Sequence, residues 1–175
     1  MRTLVFSVFI ISSLSLISYS HAADIQGVFY LVPQKSANVT RIEDSVLSKM
    51  NALIRPFAIQ KLNRAAEVHN KLSIVLSGKY IRVVAGNDVL PITNTDGTLV
   101  MYRNREGDLV SLQTHLQGNT LEQTFSTNNG SRTNYCKLSN DGTTLKMHVI
   151  IRSEYFDRPM VYTLVYDKTP HSPEG

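Results

Sequence analysis

The clearest structural pattern lies at the end of the chain. From Leu109 to Lys168 it reads LVSLQTHLQGNTLEQTFSTNNGSRTNYCKLSNDGTTLKMHVIIRSEYFDRPMVYTLVYDK. Apolar and polar residues alternate in short runs rich in Val, Ile, Thr and Tyr, as they do in half-buried strands. The sequences QGN, NNGS and NDG that separate the runs are typical of tight turns. This stretch therefore predicts consecutive antiparallel strands.

The start of the chain has the pattern of an export signal. Arg2 precedes an apolar run, Leu4–Ile17, and the small residues Ser20 and Ala22 follow at the positions that a signal peptidase reads. The run of about fourteen residues is shorter than the roughly 20 that span a bilayer, so cleavage is favoured over an uncleaved anchor, and no transmembrane segment is expected afterwards. The predicted organisation is a signal peptide at 1–22, one domain at 23–168 and a flexible C-terminal tail at 169–175.

Composition limits the classes of function. The net charge of +4 comes from Lys and Arg residues that are scattered along the chain, and this argues against a nucleic-acid interface. The single cysteine, Cys136, cannot form an internal disulfide, and its alternating context predicts a buried structural thiol. An exported protein without disulfides fits a bacterial periplasmic or secreted location better than a disulfide-rich extracellular one.

A helical pair is predicted after the first strand. Ile25–Val32 is the predicted strand, and it ends before Pro33, which has no amide hydrogen. Apolar residues then recur at helical spacing: Ile42, Val46, Met50, Leu53 and Phe57. Thr40 and Glu43 have the spacing of a capping box at the start of this helix. Pro56 interrupts the pattern, which predicts two helices or a kink.

The apolar period changes to two after the helices, and turn sequences then recur up to Lys168. This gives nine further runs of strand character, among them a short one at Val89–Ile92 that Pro91 weakens. A sheet of this length curls, and closure removes its exposed edges. The predicted fold class is mainly β: an antiparallel up-and-down ten-stranded barrel with a helix-turn-helix after strand 1. A sandwich of two sheets is the alternative.

This order of elements resembles the fatty-acid-binding-protein branch of the calycin superfamily, to which lipocalins are related. The segments Gly118–Gln123 and Thr163–Lys168 look like the corresponding strands of that family. The resemblance implies a helical lid over a barrel that holds a lipid. It also implies arginines that bind the ligand carboxylate, but Leu164 and Ser126 stand at the two positions concerned, whereas Tyr166 matches the accompanying tyrosine.

Candidate ligand contacts follow from this comparison and from strand parity. The residues are Tyr162, Tyr166, Met160, Leu164, Arg152, Phe57 and Met50. The tyrosine hydroxyls would hydrogen-bond a ligand head group, and Arg152 would supply a counter-charge. The alternative is that both tyrosines are core residues with satisfied hydroxyls, that Arg152 is solvated and that the helix residues only pack on the barrel.

The function expected from these observations is an exported binding protein that holds a small hydrophobic ligand in a β-barrel cavity. The alternative is a non-catalytic envelope or secreted module whose loops, at 87–98 and 102–108, bind a protein or polymer partner. No specific protein partner is indicated.

Catalysis, a metal site and a cofactor are not predicted. His69, His115 and His148 lie far apart in sequence and outside any metal-binding spacing. The chain has neither a nucleophile-elbow motif nor a phosphate-binding loop. A pair between Cys136 and His115 or His148 stays open until the strand order is known.

Overall fold

A computed structural model describes residues 25–168 as a curled antiparallel sheet with two helices after the first strand. The predicted signal peptide at 1–22 and the predicted tail at 169–175 lie outside the described residues. In the described part of the chain, no helix is both long and apolar enough to cross a membrane.

The elements follow one another with short connections. They are β1 (Gly27–Leu31), α1 (Val39–Ser48), α2 (Arg55–Ala65), β2 (Lys71–Ser77), β3 (Tyr80–Ala85), β4 (Asp88–Val89), β5 (Thr93–Asn94), β6 (Val100–Arg103), β7 (Leu109–Gln117), β8 (Thr120–Thr127), β9 (Gly130–Leu138), β10 (Thr144–Ser153) and β11 (Met160–Lys168). A short 3-10 turn, Pro33–Lys35, connects β1 to the helices.

The sheet runs in the order β4-β3-β2-β1-β11-β10-β9-β8-β7-β6. The first strand pairs with the last, as in the register Leu31 with Tyr166, and the other neighbours along this path are consecutive in sequence. The predicted fold class is therefore confirmed. The described residues contain eleven strands rather than ten, because the predicted strand at Val89–Ile92 is interrupted around Pro91 and leaves β4 and β5 on either side.

The two ends of the sheet are tied together at a seam between β3 and β7. Within residues 25–168, the outermost strands β4 and β6 share no ladder, and β5 pairs with β3. The segment after β5 then bonds to β7: the Gly97 amide donates to the Thr114 carbonyl (2.9 Å) and the Leu116 amide to the Thr95 carbonyl (3.0 Å). The sheet is thus a curled half-barrel whose ends one segment connects.

Alternation in the C-terminal strands sorts side chains between an apolar interior and solvent. On β10, Leu145, Met147 and Val149 are buried, whereas Lys146 and His148 between them are exposed. The same parity continues across the ladder, because Met147 pairs with Cys136 on β9. Burial of one face of each strand is the main source of stability for a domain of this size.

The helices begin and end differently from the prediction in one respect. The N-cap of α1 is Asn38, whose side-chain oxygen accepts from the Arg41 amide (3.0 Å), so the predicted capping box at Thr40 is wrong. The break at Pro56 is confirmed: α2 starts one residue earlier, and proline is tolerated there because the first turn has no internal partner for its amide.

We expect the seam to be sensitive to a methyl group at Gly97. Gly97 (φ +86°) and Gly107 (φ +87°) share a left-handed backbone, but a Cβ at Gly97 would overlap the His115 ring, whereas Gly107 has open space. Gly107→Ala should cost about 1–2 kcal/mol of unfolding free energy from backbone strain alone. Gly97→Ala should cost about 1 kcal/mol more, from overpacking.

Urea unfolding of both variants measures this difference. A second substitution, His115→Ala, should recover the excess cost in the Gly97→Ala background and leave the Gly107→Ala background unchanged. Equal costs for the two alanine variants would show that the seam does not constrain this position.

Candidate functional site

Two adjoining cavities lie at the end of the barrel that the helices cover. The first, about 140 Å³, is inside the sheet, and its wall includes Leu121, Gln123 and Asn134. The second, about 530 Å³, lies between α2, the β6–β7 turn and the ends of β8 to β10. We call the first the inner cavity and the second the mouth. Phe125 and Arg132 line both, so these side chains form a wall that the two spaces share.

Arg132 links the barrel to the end of α2. Its Nη1 donates to the carbonyl oxygens of Ala65 (2.9 Å) and Glu67 (3.3 Å), and its Nε donates to Asn134 Oδ1 (2.8 Å). Carbonyls at a helix C-terminus lack partners within the helix, and a cation there also interacts favourably with the helix dipole. Arg132 therefore holds the lid helix at the mouth.

The two interior tyrosines bind the segment 66–70 between α2 and β2, which we call the linker. Tyr162 donates its hydroxyl to the Ala66 carbonyl (3.3 Å), and Tyr166 donates to the His69 carbonyl (3.1 Å). Burial raises the pKa of both phenols, and the charge of Arg132 partly opposes this effect. Both tyrosines are thus neutral donors whose hydroxyls already have protein acceptors.

A row of polar side chains crosses the inner wall next to this anchor. Thr114, Gln123 and Asn134 are cross-strand partners on β7, β8 and β9, and all three are buried. Thr114 accepts a hydrogen bond from Thr93 (2.9 Å) and Asn134 accepts from Arg132. Within the described residues, the amide of Gln123 makes no hydrogen bond, although only 4% of the residue is exposed.

A charged cluster lies where the linker meets β4. The ligand atoms of Glu67, His69 and Asp88 lie within 4.8 Å of one another, a set that could hold a divalent cation. Arg105 forms an ion pair with Asp88 and competes for that carboxylate. Burial lowers the pKa of His69, and the neighbouring Glu67 opposes this shift.

Cys136 is a buried thiol on the wall of the inner cavity. Burial raises its pKa to about 12, so the thiolate required of a nucleophile is not populated at neutral pH. His148 lies on the next strand but faces outward, where its Nδ1 contacts Thr163 Oγ1 (3.2 Å), and His115 is also exposed. The pair that the sequence left open is therefore not formed.

The predicted contact residues are distributed unevenly around the cavities. On β11, Met160, Tyr162, Leu164 and Tyr166 all face the buried interior, but of these four it is Tyr166 that lines the inner cavity. Arg152 is exposed and lies at the rim of the mouth.

The helical candidates lie away from these walls. Met50 follows α1 and is half-buried, outside the lining of both cavities. Phe57 belongs to α2, and its side chain lies outside the described part of the structure. Leu53, in the same apolar pattern, is 83% exposed, so the predicted stripe is not buried at this position.

Sequence reasoning missed the polar residues that meet at the inner cavity. Arg132, Gln123 and Asn134 all line the inner cavity. Arg132 and Asn134 are two residues apart on β9, and Gln123 on β8 lies directly opposite Asn134. The sequence feature that could have indicated them is a polar residue at a strand position whose alternating neighbours face the interior. The family resemblance implies an arginine at Ser126 on β8, whereas the guanidinium that lines the cavity belongs to Arg132 on the neighbouring strand β9.

Comparison with known proteins supports the fold. No protein-family model and no curated protein matches the sequence. Among solved structures, a fatty acid binding protein of Schistosoma mansoni in complex with arachidonic acid is similar with a TM-score of 0.55 at 13% identity, covering 86% of this chain and 99% of that one. A protein described as REP1-NXSQ fatty acid transporter has a TM-score of 0.51 at 17% identity, covering 86% and 99%.

Fatty-acid-binding protein 1 of Echinococcus granulosus is also similar, with a TM-score of 0.50 at 12% identity over 83% of this chain and 97% of that one. At such identities the likeness establishes the fold alone. The chain has the fatty-acid-binding-protein fold that its order of elements predicts.

We expect Arg132 to contribute to stability through the linker carbonyls. Arg132→Met should lower the unfolding free energy by about 2–3 kcal/mol, because hydrogen bonds from a charged group are lost and carbonyl oxygens are left without donors. Arg152→Met, the same change at an exposed site on β10, should stay within about 0.5 kcal/mol.

Urea unfolding measures both values, and amide hydrogen exchange locates the change. Exchange should accelerate in the last turn of α2 in Arg132→Met and not in Arg152→Met. Equal stabilities, or unchanged exchange in α2, would contradict the anchoring role.

Proposed function

We propose that this protein is an exported binding protein that holds a small hydrophobic ligand in the barrel. The ligand enters beneath α2. The observation that carries the proposal is the pair of adjoining cavities that share Phe125 and Arg132 as wall residues. A ligand lying across this junction would place an apolar body in the mouth and one end in the inner cavity.

The dimensions and walls of the two spaces suit such a ligand. The mouth, about 530 Å³, lies within the range of small-molecule sites, roughly 300–1,000 Å³. Its apolar wall includes Leu62 on α2, Val110 on β7 and Ile151 on β10. The inner cavity, about 140 Å³, is close to the roughly 150 Å³ that accommodates benzene, so it would take a head group and not a long chain.

Proteins of the same fold support the ligand class. The similar structures are described as fatty acid binding or transporting proteins, and one of them holds arachidonic acid. In this chain Leu164 is a buried apolar residue where the family resemblance implies an arginine, so the polar end of the ligand would be bound differently.

Export would place this binding function in the periplasm or outside the cell. Support comes from the sequence of residues 1–22. When the full chain is expressed in a bacterial host, we expect the intact mass of the protein in the periplasmic or secreted fraction to correspond to a chain that starts at Ala23. Retention of the whole chain in the cytoplasm would contradict export and leave the binding proposal to its own test.

Blocking the mouth should weaken ligand binding. Ala58 is buried on the mouth side of α2, whereas its neighbour Ile59 is exposed. Ala58→Phe should reduce the affinity for the probe 1-anilinonaphthalene-8-sulfonate about tenfold or more, because the ring takes up the space that the probe needs. Ile59→Phe, on the same helix, should leave the affinity unchanged.

Fluorescence titration measures the affinities, circular dichroism confirms that both variants are folded, and mass spectrometry of extracts identifies co-purified lipids. Equal affinities in the two variants would contradict a site in the mouth. Absence of probe binding and of any extracted ligand would favour the alternative of a module that binds a partner through its loops.

A further inference from the structure

We propose that Gln123 and Asn134 form a subsite for an uncharged hydrogen-bonding head group, so that the ligand ends in an alcohol or a primary amide rather than a carboxylate. This inference rests on the proposed function and specifies the chemistry of the end that enters the inner cavity.

The side-chain amide of Gln123 faces the inner cavity without a protein partner among the described residues. Gln123 is 4% exposed and lines the inner cavity, yet its amide has no hydrogen-bond partner in the described part of the chain. The side-chain atoms that are fully buried without a partner in the described residues are Arg55 Nε and Asn94 Oδ1, so the Gln123 amide stays in contact with the cavity space. An amide that faces a cavity and lacks a protein partner points to a ligand that supplies one.

Asn134 supplies further hydrogen-bond donors beside Gln123. Asn134 lies directly opposite Gln123, is 7% exposed and uses its Oδ1 for Arg132, so its Nδ2 hydrogens are not used in the described structure. Together the two amides offer N–H donors and one carbonyl acceptor, Gln123 Oε1. An alcohol or a primary amide can both donate and accept, and it matches this combination. A carboxylate can only accept.

Several donors near Gln123 already bind protein oxygens. Arg132 uses Nη1 and Nε for protein oxygens, and the hydroxyls of Tyr162 and Tyr166 donate to linker carbonyls. Arg132 Nη2 makes no hydrogen bond in the described residues and could donate to a carboxylate. A carboxylate would nevertheless leave the acceptor Gln123 Oε1 without a donor, and it would lose its own hydration on entering the cavity. A neutral head group needs none of these donors to be released.

The size of the inner cavity agrees with a small head group. Its volume of about 140 Å³ accommodates the terminal group and adjoining atoms. The cross-strand pair Leu121 and Cys136, two residues along from Gln123 and Asn134, makes the adjoining wall apolar. The remaining chain would pass Phe125 and lie in the mouth.

The test compares three ligands with one chain length: decan-1-ol, decanamide and decanoate. Displacement of 1-anilinonaphthalene-8-sulfonate should show that the wild-type protein binds the alcohol and the amide about tenfold or more tightly than decanoate. Gln123→Leu, which keeps similar volume without polar atoms, should weaken binding of the two neutral ligands about tenfold and leave decanoate nearly unchanged. Gln117→Leu, the same substitution at an exposed position on β7, should change none of the affinities.

Stability supplies a second readout. Because Gln123→Leu replaces a side-chain amide that has no protein partner with an apolar group of similar volume, the ligand-free variant should unfold at the same urea concentration as the wild type or at a higher one. A purely structural glutamine would give the opposite result, with lower stability and unchanged ligand preference.

The outcomes separate the two proposals. A wild-type protein that binds decanoate more tightly than decan-1-ol and decanamide overturns the head-group inference and leaves the binding function intact, even if Gln123→Leu fails to fold. Unchanged preference in a folded Gln123→Leu variant also overturns it. Failure of the wild-type protein to bind the probe and all three ligands overturns the proposed function, and the inference with it.

Discussion

The carbonyl oxygens that end the lid helix need hydrogen-bond donors, and the interior of the barrel supplies them. Arg132 donates to the carbonyls of Ala65 and Glu67, while Tyr162 and Tyr166 donate to those of Ala66 and His69. Helix ends buried without partners are unfavourable, so this set of bonds decides where α2 and the linker lie. The mouth, the inner cavity and the path between them all depend on that position.

The same bonds decide which polar groups are left for a ligand. Arg132 Nη1 and both phenol hydroxyls donate to main-chain oxygens, and Arg132 Nε donates to Asn134 Oδ1. Burial keeps both phenols and the Cys136 thiol in their neutral forms. Within the described residues, the uncommitted groups next to this anchor are Arg132 Nη2, the Gln123 amide and Asn134 Nδ2. The inner cavity therefore presents two neutral amides beside a single guanidinium in the described part of the chain, whereas the family comparison implies two arginines at other positions.

Local patterns predicted the elements well and their long-range partners poorly. Strand parity placed the β10 residues correctly, and proline chemistry placed the break between the helices, because both depend on neighbours in sequence. The cap of α1 was misplaced by two residues, since Asn38 and Thr40 both have suitable side chains. Arg132 escaped notice because its acceptor at Ala65 lies 67 residues away.

The sequence by itself determined the fold class, since alternating apolar residues, turn sequences and two interrupted helical segments suit one type of curled antiparallel sheet. Tertiary structure decided the site. Cross-strand register brought Gln123 opposite Asn134, and the position of the linker gave acceptors to Arg132 Nη1 and to both tyrosine hydroxyls. The physical reason is that strand formation depends on periodicity, whereas the free or occupied state of a buried donor depends on which distant backbone oxygen reaches it.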